Sequence, residues 1–267
     1  MSCKPSDLRS IGLNVIGGAV VAFLSYCYIV ILRRFRQWTL KRILGADFDR
    51  EGKYHIAFAS FLLPPFRDQQ GKIISHPYVK TQLPQGSGRQ PASAGFSIAN
   101  PVSGGEVRGI AYLAELFGKS RVCAPLLIPD NEIASKLDIS FIALGGPLSN
   151  LKSEDTFGNS SNTLVILKDH QFVNPSTQQP VIQLVPRAEL DYGVILRLSP
   201  RQHGSRTWIV CAGIDEWGTS ASAWYLAYKW RYLFWHVMRG RRRDFAAIIR
   251  VRRGQDESAE IIWSDRK

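Results

Sequence analysis

The chain has 267 residues, 45% apolar and 21% charged, a globular composition that excludes a disordered or fibrous protein. Its formal charge of +12 attracts polyanions (phosphate ligands, nucleic acid or anionic lipid) without choosing among them. Four cysteines without a CxxC spacing and five scattered histidines argue against a disulfide framework and against a metal site, so no metal is expected and the cofactor is unknown.

The first predicted element follows a short tail, residues 1–10. Ile11 to Leu32 carries no formal charge and as a helix would be about 33 Å long, against a hydrocarbon core of roughly 30 Å. It is expected to be a single transmembrane helix. Arg33, Arg34, Arg36, Lys41 and Arg42 follow it, so the positive-inside rule puts the C-terminal part in the cytoplasm, at the inner (plasma) membrane. Gly18 and Ala22 form a small-xxx-small pair through which a homo-oligomer is conceivable. Residues 33–53 read as a basic juxtamembrane linker, and residues 54–267 as one α/β domain.

In that domain, residues 54–62 predict a strand and residues 63–95 a long Pro-, Gly- and Ser-rich loop, either a lid or a variable excursion. Residues 95–100 predict a short strand. Ser103 and Glu106 then have the S-x-x-E spacing of a capping box, opening a helix that Gly118 ends. Strands are expected at 121–128, 138–146, 162–168, 180–185, 191–198 and 206–213, with a short helix from Asp130. A long helix over about 219–238 is apolar nearly all round, with Ala223, Leu226, Ala227, Trp230, Phe234 and Val237 as its core stripe. Residues 245–263 predict an antiparallel hairpin. The alternation gives an α/β, Rossmann-like fold: a mixed, mainly parallel sheet flanked by helices, preceded by the transmembrane helix.

Three apolar strands run into glycine-containing turns, at 100–106, 145–150 and 213–220. In an open parallel sheet such turns gather at the carboxyl edge, where ligands bind. The candidate ligand residues are Asn100, Ser103, Gly104, Gly105, Gly145, Gly146, Ser149, Asn150, Gly213, Trp217, Gly218, Thr219 and Ser220. Glycines permit close backbone approach, Thr219 caps the last helix and faces the ligand, and Trp217 offers a stacking face. Glu106 and Glu216 are the candidate catalytic carboxylates. Asp191 and Tyr192, at the end of one strand-rich region, are further candidates for the same edge. No P-loop, complete GxGxxG or GxSxG elbow is present.

With "LGGPLSN" and "AGIDEWGTSASAW" at strand ends, residues 54–240 resemble the Rossmann-like nucleotide-sensing domains of bacterial defence systems, the SLOG and TIR-type groups. The resemblance implies a small anionic ligand such as a nucleotide. Three functions stay open: a membrane-anchored ligand sensor or signalling protein, an enzyme cleaving N-glycosidic bonds with Glu216 or Glu106, and a non-catalytic membrane scaffold. Expected partners are the bilayer, the small ligand and, through Arg239 and Arg241 to Arg243, anionic lipid headgroups. Nucleic acid is not expected, since no recognised binding module is present.

Overall fold

The computed structural model describes residues 5–59, 66–67, 73–74, 102–185 and 187–267, with side chains of the first helix from Val20 on. Helix α1 (Pro5–Leu44) leads into β1 (Tyr54–Phe58); β2 (Phe66–Arg67) and β3 (Ile73–Ile74) pair as a small ladder. Then come α2 (Gly104–Ser120), β4 (Leu126–Pro129), β5 (Ser140–Leu144), α3 (Leu151–Phe157), β6 (Ile166–Lys168) and β7 (Gln171–Val173). The chain closes with β8 (Leu190–Leu198), β9 (Trp208–Gly213), α4 (Glu216–Tyr228), α5 (Trp230–Tyr232), β10 (Phe245–Arg252) and β11 (Gln255–Arg266).

Seven strands form one mixed sheet in the order β11-β10-β8-β9-β5-β1-β4. Strands β4, β1, β5 and β9 are mutually parallel, β8 opposes β9, and β10 runs with the parallel set again because it opposes β8. The sheet is therefore mainly parallel in direction, with an antiparallel flank. Successive side chains alternate between its two faces. On β9, Ile209 and Cys211 join α1, α2 and α4 in one core, while Trp208, Val210 and Ala212 join α3 and the β6–β7 hairpin in the other. Covering both faces explains why the central strands are continuously apolar.

The N-terminal expectation is corrected. Among the described residues, no helix is long and apolar enough to cross a membrane. The single-pass anchor and the inner-membrane localisation built on it therefore lose their support. Residues 33–53 are not a linker either. The helix continues to Leu44, and Leu40, Ile43, Leu44 and Phe48 are buried in the core. Each such side chain stabilises the packing by about 1.5–3 kcal/mol. Arg197, fully buried on β8, donates Nε to the Ile43 carbonyl at 2.7 Å and pairs with Asp244 at 3.0 Å. It ties the last turn of α1 to the sheet.

Other boundaries shift for local reasons. The strand expected at 121–128 is confined to β4, and the helix from Asp130 is a single 3-10 turn, Asp130–Ile133. Residues 180–185 form no strand; Pro180 makes one isolated bridge to Val173. The long aromatic helix starts earlier, at Glu216, breaks at Lys229 and ends in a π turn, Leu233–Val237. Its expected core stripe is buried throughout. The expected strand at 95–100 and nearly all of the 63–95 loop lie outside the described residues.

Candidate functional site at the carboxyl edge of the sheet

Because β1, β5 and β9 are parallel, their carboxyl ends lie at one edge, where the turns after β5 and β9 meet the start of α2. A cavity of about 640 Å³ opens between them, lined by Ser103 and Glu106, by Gly145 to Ser149, and by Gly213 to Glu216 with Thr219. The β6–β7 hairpin closes another side with Leu167, Lys168, Asp169 and His170. A second cavity of about 940 Å³ adjoins it on the β8 side and shares Asp169, His170, Ile214 and Asp215. The two form one groove across the sheet edge.

The first turn does not form the reciprocal capping box. Ser103 caps α2 by accepting from Gly105 N at 3.2 Å. Glu106 instead turns inward, is only 2% exposed, and accepts from Ala59 N at 3.0 Å. That amide lies one residue beyond β1. The glutamate thus satisfies the strand end rather than its own helix end. Burial pushes its carboxyl up to about 8; the Ala59 amide opposes the shift and Asp130 adds to it. At neutral pH Glu106 is a neutral acid able to donate a hydrogen bond. Gly145, at φ +101°, makes room for it: a Cβ there would stand 2.7 Å from Glu106 Oε1.

Several predicted ligand residues prove structural. Gly104 and Gly105 line no part of the cavity; a Cβ on Gly105 would meet the Glu216 carbonyl at 2.3 Å, so this glycine lets α2 and α4 touch. Asn150 caps α3, accepting from Lys152 N and Ser153 N, and donates to the Ala57 and Leu144 carbonyls. Its amide is fully used in clamping β1, β5 and α3 together. Gly146 and Ser149 do line the cavity, with Ser149 Oγ donating to the Gly146 carbonyl at 3.1 Å. Asn100 lies outside the described residues.

The third turn is built around Asp191. Its Oδ2 accepts from Gly218 N at 2.6 Å, and its Oδ1 from Tyr192 N at 2.7 Å and Asp215 N at 3.3 Å. Asp191 therefore does the work expected of Thr219, which makes no side-chain cap and faces the cavity. Gly218 is needed because α4 rides against β8: a Cβ would stand 2.1 Å from the Tyr192 carbonyl. Gly213 is equally tight, against the Thr219 amide, but still borders the cavity. The stacking face of Trp217 is occupied by the Arg108 guanidinium, 3.8 Å from the ring centroid. Ser220 points away and donates to Asp256 at 2.7 Å. Glu216 is half-exposed at the cavity rim, 3.9 Å from Arg108.

Comparison of the chain with protein-family models, curated proteins and solved structures found no match. The site is therefore argued from its own chemistry. Sequence reasoning missed the β6–β7 hairpin, whose turn residues Asp169 and His170 both have left-handed φ, 50° and 58°. Without a glycine there, only the tolerance of aspartate and histidine for that region marked the turn. Among the described residues no cluster of metal-ligating side chains occurs. Arg239 and Arg241 to Arg243 lie far along the chain from these turns, at the end of the aromatic segment; the first three of them are exposed.

Proposed function

We propose that the cavity binds a small hydroxyl-rich molecule, the ribosyl part of a nucleoside or nucleotide being the class that fits best, and that the protein acts as a ligand-sensing module. The observation that carries this reading is the convergence of the turns after β5 and β9 and the N-terminal end of α2 on one cavity at the carboxyl edge of the parallel strands. The chain's overall positive charge is not repeated here. Glu154, Asp169, Asp215 and Glu216 line the cavity, against Lys168 and His170. Asp215 is paired with Arg253 and Glu216 with Arg108, which leaves a mildly acidic lining. Such a lining accepts hydrogen bonds from hydroxyls and repels bare phosphate. Neutral Glu106 adds a buried donor.

A thermal-shift screen of the full chain with nucleosides, nucleotides and free pentoses tests the reading, because a ligand that binds only the folded state stabilises by RT ln(1 + [L]/Kd). Ribosyl compounds should raise the melting temperature, and Glu106→Gln should weaken that response while leaving the fold intact. A flat response to every ribosyl compound would contradict it.

A second reading, cleavage of an N-glycosidic bond, is favoured by one observation: an acid with a pKa of about 8 in the same cavity as a half-exposed second glutamate. Glu106 would protonate the departing base, and Glu216 would stabilise the positive charge on the sugar or activate water. Product analysis with nucleosides and NAD distinguishes it. Turnover that Glu106→Gln abolishes while binding persists would establish the enzyme, and its absence leaves the sensing reading.

A further inference from the structure

Away from the sheet edge, α1, the end of α2 and α5 enclose a cavity of about 470 Å³. Five cations line it: Arg33, Arg36, Lys119, Arg121 and Arg231. Among the described residues no carboxylate does. Glu115 lies in an adjoining cavity of about 190 Å³ and is paired with Lys119. Gathering like charges around a hollow is unfavourable unless something of opposite sign enters it. The carboxyl end of α2 lies beside the cavity and contributes only about half a negative charge, far less than five cations.

Two of the cations are held in place against an aromatic ring. Arg36 and Arg231 both lie over the Trp230 ring, 5.9 Å and 5.1 Å from its centroid. The Nε of Arg36 is buried and has no hydrogen-bond partner among the described residues. Burial lowers the pKa of Arg36, and the charge of Arg231 lowers it further. An oxyanion in the cavity would relieve the repulsion among these cations. Ile29, Leu32 and Phe35 give the rest of the wall an apolar side, beside Ser120.

We infer that this cavity is an anion site for a phosphate group, distinct from the sheet-edge cavity, with Arg36 and Trp230 as its floor and Arg33, Lys119, Arg121 and Arg231 as its rim. The phosphate can come from a free phosphate compound or from an amphiphile whose apolar part lies along Ile29 and Leu32.

Titration calorimetry on the full chain at low ionic strength tests this, with inorganic phosphate and a water-soluble short-chain phosphatidic acid as probes. Arg33→Glu and Arg121→Asn are combined in one variant. Arg33 makes no hydrogen bond or ion pair among the described residues, and asparagine tolerates the left-handed φ of 52° at position 121. Wild-type protein should bind at least one probe, and the double variant should bind it about tenfold more weakly or worse. Equal affinity for the two probes supports a free phosphate as the source. Tighter binding of the short-chain lipid, lost in Leu32→Glu, supports an amphiphile. Failure of both probes to bind, or equal binding by a folded double variant, overturns the site. Neither result bears on the sheet-edge cavity.

Discussion

Two buried carboxyls stand at two turns of the same sheet edge, and their surroundings differ. Asp191 accepts three backbone N–H bonds and closes the third turn onto the start of α4. Glu106, at the first turn, accepts one among the described residues, from Ala59. Burial raises both pKa values, and in each case the amide donors oppose it. Asp191 has its acceptor capacity committed to backbone. Glu106 has one such donor among the described residues and lines the cavity. The lesson is that a buried acid at a strand end is structural when the backbone saturates it and available for a ligand when it does not.

The largest expected effect separates the two by pH. Glu106 has a folded pKa near 8, above its ordinary value of 4.5. Its contribution to stability is therefore fully present below pH 4.5 and is lost as the pH rises through 8. Glu106→Gln cannot ionise and should keep the Ala59 hydrogen bond. Relative to this variant, the wild type should lose as much as roughly 4 kcal/mol between those limits. Urea unfolding of both proteins across the range measures the difference, and parallel pH profiles would break the contrast.

Asp191→Ala comes next. It leaves three amides without their acceptor and should cost about 3 kcal/mol at any pH near neutrality. A loss below about 1 kcal/mol would mean that water replaces the carboxylate, and that the third turn is as open as the first.

The glycines sharpen the same contrast with smaller effects. Gly218→Ala drives a Cβ into the Tyr192 carbonyl at 2.1 Å and should destabilise by about 2 kcal/mol. At Gly146 a Cβ meets only Leu167 Cδ2 at 3.7 Å and the Gly213 carbonyl at 3.9 Å, both belonging to residues of the cavity wall. Gly146→Ala should leave stability within about 0.5 kcal/mol and weaken ribosyl binding. Thermal melts with and without ligand read both quantities.

Much of this edge was legible in the sequence. Apolar strands ending on Ala143-Leu144-Gly145 and Cys211-Ala212-Gly213 marked two of the three turns, and their parallel pairing follows from the alternation of strands and helices. The roles of individual residues were not legible, because they depend on partners distant in the chain. Glu106 meets Ala59, 47 residues away, and Asp191 meets Gly218, 27 residues away. Spacing alone suggested a capping box for the first and a Thr219 cap for the second. The 33–53 stretch was misread for a related reason. Its cations suggested a linker, whereas the packing of Leu40, Ile43 and Leu44 into the core is a tertiary fact. Trp217 illustrates the same point: its ring is free in sequence and covered by Arg108 in the fold.

The central claim is that Glu106 is a neutral acid at the base of a ligand cavity. Carbon-13 NMR of the side-chain carboxyls, with the Glu106 resonance identified by its absence in Glu106→Gln, measures this directly as the pH is raised. The account predicts a titration midpoint near 8 in the free protein, displaced when a ribosyl ligand is added. A midpoint near 4.5 that no ligand moves would contradict it.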